Sequence, residues 1–506
     1  MRSTLIEQTA PASGSVETLR AGTHSSAQSH SRHLFKSSAI YIAGDLLTKL
    51  LAIVLISLYV HYLTPEDYGI LEVVKAFTNV FTIVSGLGLH GALTRFYFDH
   101  ADAGARARFL GMIVMALIGN AFVMVCVLNL VGEALCERFL SGIPFDPYVE
   151  LATWTVFLTS VSTIVPLLYR IHEEPLKYIG FQFAQSLLGF GLIIYFVAVK
   201  QNGVLGKLQG ELLAGLLLVG LALYLIRPHV RLSWSWAETK RSLQFGVPLV
   251  PHMLFWWVID LSDRLFLQYY GTLQEVGIYS LGYNMASLMI LVITGLNNAW
   301  APYFFSISNR PGAKEIIARL LTYCLCTVLF VGLILALFAR EVVIFIATPE
   351  YYDAYRVMPL IIIAFIFAGV ATILANSIFY GKTSHHLFLL TGLAACVNMG
   401  LNVLLIPLFG MMGAAYATVM AMAVYAGFVF FVSQKVYWIE YEKAKIAYIT
   451  VAFLTCVILG LAIRPDHALA VMALKACLGL TFVTVLWRIG IIRIADLPFV
   501  SRKSTG

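Results

Sequence analysis

Charge is scarce in this chain. Asp, Glu, Lys and Arg make up 12% of the 506 residues, about half the roughly 25% usual in soluble domains. A soluble protein of this length would lack the polar residues to cover its surface, so that class is excluded. Cysteine is thin too: there are seven. Cys126, Cys324, Cys326, Cys396, Cys456 and Cys477 lie inside apolar runs and no CxxC occurs. That excludes a disulfide framework and leaves small buried hydrophobes. No Walker A sequence occurs, so ATP hydrolysis is not intrinsic. "GLGLHG" (86–91) fits a dinucleotide fingerprint by letter only. It sits within an apolar run, follows no strand, and its glycines suit helix packing or bending. His385 and His386 have no neighbouring Cys or carboxylate, so no metal site is expected. With no nucleophile elbow or metalloprotease helix either, the chain reads as no enzyme and needs no cofactor. The first 33 residues lack an apolar core, so they are not a cleavable signal peptide. Their Ser, Thr, Ala, Gly and His content reads as a disordered cytoplasmic tail over 1–35.

What fills the chain is hydrocarbon. Hydrophobic residues are 60% of it and mean hydropathy is +0.84. Runs such as "FLGMIVMALIGNAFVMVCVLNLVG" (109–132) are continuous rather than alternating. Lipid requires every backbone polar group to be satisfied internally, and continuous runs of this length choose helices over a barrel. Fourteen spans are predicted, near 37–63, 68–95, 109–132, 149–169, 177–199, 205–226, 244–269, 276–305, 316–338, 357–380, 387–409, 411–433, 446–463 and 468–487. Most of the 34 Lys and Arg fall in alternate connections. This bias places both termini in the cytoplasm. The net charge of +7 is mostly this orientation signal. The cations are dispersed over loops with no single patch, so no nucleic-acid partner is expected.

One phrase is said twice. "TPEDYGI" (64–70) and "TLQEVGI" (272–278) share Thr, an acidic residue, Gly and Ile in register, 208 positions apart. "QNGVLGKLQG" (201–210) and "LFGMMGAAYA" (408–417) align Gly203 and Gly206 with Gly410 and Gly413. Two matches at nearly one offset point to a duplicated unit of six spans. An even number of spans keeps both copies facing the same way, as in transporters with an axis along the membrane normal. The expected fold is an all-α polytopic membrane protein of about 14 transmembrane helices. Two parallel-repeat six-helix lobes are followed by two C-terminal helices. The expected divisions are an N-lobe over 36–227, a cytoplasmic linker over 228–242, a C-lobe over 243–434, and the last two spans with a C-tail over 435–506. Paired lobes around a central cavity suit alternating access. No outside loop is long enough to carry a glycan polymerase or ligase site.

The stretch "LTPEDYGILEVVKAFTNVFTIVSGLGLHGALTRFYF" (63–98) resembles the first helical hairpin of the polysaccharide biosynthesis transporters, and "DRLFLQYYGTLQEVGIYSLGY" (263–283) resembles their seventh-to-eighth span signature. That family includes O-antigen and exopolysaccharide repeat-unit flippases. It belongs to the multidrug/oligosaccharidyl-lipid/polysaccharide flippase superfamily. The resemblance implies a bacterial inner-membrane location and a lipid-linked oligosaccharide substrate among membrane lipids. A polysaccharide polymerase or export machinery is an implied partner. Lipid-linked peptidoglycan-precursor flippases and cation-coupled drug antiporters share the superfamily and stand as alternatives.

The scarce charges inside spans are the candidate site, because each is costly at mid-bilayer unless paired or wetted. Asp45 and Lys49 lie four apart in span 1, and Glu72 and Lys75 lie three apart in span 2. Asp260, Asp263 and Arg264 lie in span 7, and Arg95 ends span 2. The resemblance implies that spans 1, 2, 7 and 8 line the central cavity. Lys49 is the first candidate for a substrate pyrophosphate, followed by Arg264, Lys75 and Arg95, since such a group needs cations in a low-dielectric cavity. Asp45, Glu72 and Asp263 could pair with these or couple to an ion gradient. Plain intrahelical pairs, Asp45–Lys49 and Asp260–Arg264, are the structural alternative. An organic-cation exporter would want an acidic cavity, and a central Lys49 argues against it. Trp256 and Trp257 in span 7 could stack on sugar faces, against the commoner use of such aromatics in interfacial belts and helix packing. Lys475 in the last span is expected to face a lipid-tail groove or to snorkel.

Overall fold

A computed structural model describes residues 51–140, 142–383, 385–463 and 468–490, together with Gly44 and Thr48. Among them the regular structure is entirely helical. Thirteen helices are long and apolar enough to cross a membrane, and they coincide with predicted spans two to fourteen. Of the first predicted span, Leu51–Tyr62 forms an apolar helix, α1, and most of the remainder lies outside the described residues.

Span 2 is broken into α2 (Pro65–Gly86) and α3 (Leu89–Phe96). Leu87 and Gly88 between them are both left-handed, with φ of 46° and 64°, so the glycine run bends the span rather than cradling a phosphate. Then follow α4 (Ala103–Phe139), α5 (Glu150–Ser162), α6 (Ile164–Ile171), α7 (Pro175–Ile194) and α8 (Gly203–Ile226). α4 has 37 residues, or roughly 55 Å at 1.5 Å per residue, against a hydrocarbon layer of about 30 Å. Its ends carry Arg106, Arg108, Glu133 and Glu137. Those polar turns are helical beyond the apolar run that the sequence marked. Asp102 caps it, accepting from the Ala105 N–H at 2.7 Å.

The second half begins with α9 (Trp236–Gly246), which occupies part of the expected linker, and continues through α10 (Leu249–Tyr270), α11 (Leu273–Ala286) and α12 (Met289–Ile307). Next come α13 (Ala313–Leu337), α14 (Ala339–Ile346), α15 (Ala354–Tyr380), α16 (His385–Phe409) and α17 (Met411–Val436). The closing pair is α18 (Lys443–Ala462) and α19 (Ala468–Arg488).

The echoed phrases meet each other. Thr64 and Thr272 each form a capping box, with Asp67 and Glu275 respectively. Each box satisfies two orphan amides of its helix start. The helices they start, α2 and α11, cross so closely that a Cβ on Gly69 would lie 1.9 Å from the Leu273 carbonyl oxygen. A Cβ on Gly277 would lie 1.9 Å from the Pro65 carbonyl oxygen. The contact is self-reciprocal at the offset of the repeat, and only glycine permits it. The loop before α15 reinforces this end: Tyr351 donates to the Leu63 carbonyl at 2.9 Å and Thr348 to that of Val60 at 3.2 Å.

Lys475 corrects its expectation. It neither snorkels nor faces a lipid groove. Its ammonium donates to both Glu341 oxygens, at 2.7 and 2.8 Å, and ties α19 to α14. Removing one partner of a buried pair strands the other charge. Lys475→Met is therefore expected to destabilise by about 3 kcal/mol, and adding Glu341→Gln to recover most of it. Thermal unfolding in detergent reads both.

Candidate functional site

Tyr68, Glu72 and Lys75 follow one face of α2 at i, i+4 and i+7. Opposite them, α10 presents Asp260, Asp263 and Arg264, and α11 presents Tyr279, Tyr283 and Asn284. The structure brings five of the eight candidates into this one cluster. The Lys75 ammonium donates to both Glu72 oxygens, at 3.1 and 3.2 Å. Asn284 bridges to the Tyr68 hydroxyl at 2.8 Å and to Glu72 at 3.4 Å. The Arg264 side chain is almost wholly buried, and its Nε stands 4.0 Å from a Glu72 oxygen. The ion pair thus crosses from the first half to the second.

Arg264 is held from several sides. It donates to the Asp260 carbonyl, and its guanidinium carbon lies 4.2 Å from the Tyr283 ring centroid and 5.5 Å from that of Tyr279. The expected Asp260–Arg264 side-chain pair does not form, because that bond goes to main chain. The Asp260 carboxylate instead accepts from the Tyr283 hydroxyl. Asp263 is fully buried and accepts from Tyr279, from Asn402 at 2.8 Å and from Thr418 at 2.9 Å. It therefore locks α10, α11, α16 and α17 together within the second half. Its oxygens are occupied, which makes it a fold residue first. The Lys75 side chain is about half exposed, and Asp260 is exposed as well.

The other candidates lie elsewhere. Arg95 is exposed at the far end of span 2, 3.6 Å from Asp99 and well apart from the cluster. Asp45 and Lys49 lie outside the described residues.

Sequence reasoning missed a second contact between the halves. At the end of span 2 remote from the capping boxes, a Cβ on Gly88 would lie 2.2 Å from the Gly246 carbonyl oxygen. Arg241 on α9 bonds Asp99 at 2.7 Å and lies 4.3 Å over the Phe96 ring. Trp257 also crosses between halves, donating its indole N–H to the Ala76 carbonyl at 2.9 Å. Its polar edge therefore ties helices together. Among the described residues no group of three His, Cys, Asp or Glu could hold a metal ion.

Comparison with known proteins adds to this geometry. A family model described as polysaccharide biosynthesis protein matches residues 34–308. The Lsg locus putative protein 1 of Haemophilus influenzae is 24% identical over 360 residues, which is 69% of this chain and 85% of that protein. An uncharacterized membrane protein of the same organism is 25% identical over 288 residues, covering 56% of this chain and 67% of its own. Among solved structures, the lipid II flippase MurJ in an inward closed conformation superposes with a TM-score of 0.69 at 14% identity, covering 90% of this chain and 100% of that one. An inward-facing multidrug resistance MATE family transporter of the MOP superfamily gives 0.64 at 14% identity, covering 77% and 93%. At such identities the structural likeness establishes a shared fold.

Proposed function

Because the chain belongs to the polysaccharide biosynthesis protein family, we propose that it is a flippase. It moves lipid-linked oligosaccharide repeat units, carried on a polyprenyl pyrophosphate, across the bacterial cytoplasmic membrane. Both termini lie in the cytoplasm. The halves rock against each other in alternating access. The contacts at Gly69–Gly277 and at Gly88–Gly246 are the two closures, and they part in turn. The lipid tail stays in the bilayer while the polar head crosses between the halves. Net movement is driven by an ion gradient or by consumption of the product outside.

The observation that carries this reading is the Glu72–Lys75–Arg264 cluster between the halves. Charge inside a membrane protein is costly, and a cluster that bridges the two halves while leaving a lysine side chain half exposed suits a polar passenger. Glu72 is buried and anchors Lys75, whose side chain is about half exposed. Arg264 fixes Glu72 from the other half. The accessible cation for a phosphate is therefore Lys75, with Lys49 from the neighbouring first span proposed to share it. Arg264 is a positioning residue in this scheme. Arg95, on the peripheral end, recruits anionic head groups at most.

Lys75→Gln in proteoliposomes is expected to slow translocation of undecaprenyl-pyrophosphate-linked oligosaccharide about 10- to 100-fold, the worth of one charge-assisted bond. Lys75→Arg should retain much of the rate. Unaltered translocation by a well-inserted Lys75→Gln protein would defeat the assignment.

A further inference from the structure

The first half contains a cavity of about 750 Å³ that the charged cluster does not use. Its walls are α3, α5, α6, α7 and α8, with Thr48, Ala52 and Leu55 at one side. It runs from Tyr178 to Ile193 along α7, roughly 22 Å at 1.5 Å per residue. Its polar lining is nearly free of net charge. α5 offers Thr155 and Thr159, one turn apart, and α7 offers Gln182, Gln185 and Ser186 on one face. At the Tyr178 end, Arg170 lies 5.2 Å from that ring's centroid. Glu211 at the other end is paired with Lys207 at 2.8 Å.

Two features separate this from ordinary packing. First, the amides of Gln182 and Gln185 make no hydrogen bond among the described residues, although both are partly buried within a membrane span. Unpartnered primary amides there are costly unless something in the cavity satisfies them. The threonine hydroxyls donate to their own helix, Thr155 to Leu151 at 2.9 Å and Thr159 to Thr155 at 3.0 Å, which leaves oxygen lone pairs facing the space. Second, the duplication supplies an internal control. α5 reads "ELATWTVFLTSVS" (150–162), dense in hydroxyls, whereas its counterpart in α15 reads "VMPLIIIAFIFAGVA" (357–371), without one. Both stretches build the same part of a lobe. Along this helix the fold therefore does not require hydroxyls, and only the copy in the first half has them.

We infer that this cavity is a glycan subsite: it holds the neutral, hydroxyl-rich sugar chain of the substrate while the cluster around Lys75 holds the phosphates. The inference rests on the flippase reading and extends it. Amides and hydroxyls match sugars, which offer donors and acceptors but no charge. Among the described residues an organic cation would find no free carboxylate lining it, since Glu211 is engaged.

The test uses the full chain in nanodiscs. Two probes are titrated: undecaprenyl pyrophosphate, and the undecaprenyl-pyrophosphate-linked oligosaccharide extracted from cells that make this protein. Gln182→Leu with Gln185→Leu removes the amides at positions where leucine suits a membrane helix. Gly189→Leu fills the cavity from a site where a Cβ would meet nothing within 4 Å. Both variants are expected to weaken the glycosylated probe about 10-fold, as two lost hydrogen bonds would. Binding of bare undecaprenyl pyrophosphate should stay unchanged. Full retention of sugar discrimination by both variants overturns the subsite alone, as does an equal loss for both probes. Failure of the wild-type protein to bind either probe overturns the flippase reading and the subsite with it.

Discussion

Alanine at both Gly69 and Gly277 is expected to stop translocation while leaving the chain folded and inserted. Each new Cβ would stand 1.9 Å from a carbonyl oxygen of the opposing helix, where about 3.0 Å is the closest approach real Cβ atoms make. Neither obstacle is a flexible side chain that could step aside. The helices must withdraw by about 1.1 Å, from 1.9 to 3.0 Å, at both points. Overpacking costs about 1–3 kcal/mol per site, so the pair disfavours this closure by a factor of roughly 30 or more. The penalty falls only on the state in which α2 and α11 touch. A transporter that must pass through that state is held open at one end, and its cycle stalls. Hydrogen exchange should quicken in residues 64–70 and 272–278, since the capped helix starts would lose their mutual cover. Wild-type translocation by the double variant would mean that this contact never forms in the working cycle.

The duplication behind that contact is legible from residue spacing alone, whereas the meeting of its two copies is not. The echo of Thr, acid and Gly reveals the duplication, because a capping box and a glycine crossing both impose residue types at fixed spacing. The spans are legible for a similar reason: lipid leaves a long apolar run no alternative to a helix. Their ends are less so. The first turns of α4 carry arginines that hydropathy excludes, yet they continue the helix into the aqueous boundary.

The site divides along the same line. Glu72, Lys75, Asp260, Asp263 and Arg264 stand out because charge in a span is costly wherever it sits. Their partners do not stand out. Tyr279 and Tyr283 are two among 25 tyrosines, and nothing in their spacing says that they donate to Asp263 and Asp260. Asn402 and Thr418 reach Asp263 from 139 and 155 positions away. The Asp99–Arg241 bond spans 142 positions, and Lys475 finds Glu341 across 134. Periodicity speaks for one helix at a time, whereas these bonds exist only once helices pack. Arg95 misleads for the opposite reason: its place at a span's end leaves open whether it faces a cavity or the surface.

Arg264→Met is expected to be the most destabilising single change in the cluster, by about 3–5 kcal/mol, the range for breaking a buried ion pair from one side. Arg264 pairs with a carboxylate of the first half while lying against both tyrosine rings of the second. Its side chain is 1% exposed and that of Glu72 is 7% exposed, so water can replace neither partner. Methionine fills much of the vacated volume, which keeps the loss electrostatic rather than a cavity effect. Glu72→Gln should also destabilise, since Arg264 would then lose its partner in the first half and keep a main-chain carbonyl, the faces of two rings and the fields of Asp260 and Asp263. If the pair is what joins the halves, the double variant will be less unstable than the sum of the singles by at least about 1 kcal/mol. Strict additivity in that cycle would assign Arg264 to its aromatic neighbours alone. The tie between halves would then reside in Trp257 and the glycine crossings. The two outcomes predict different translocation phenotypes. A loss through the pair should uncouple Lys75 from its anchor and lower transport of the proposed pyrophosphate-linked substrate, and a loss through the rings should leave transport in the surviving folded fraction intact.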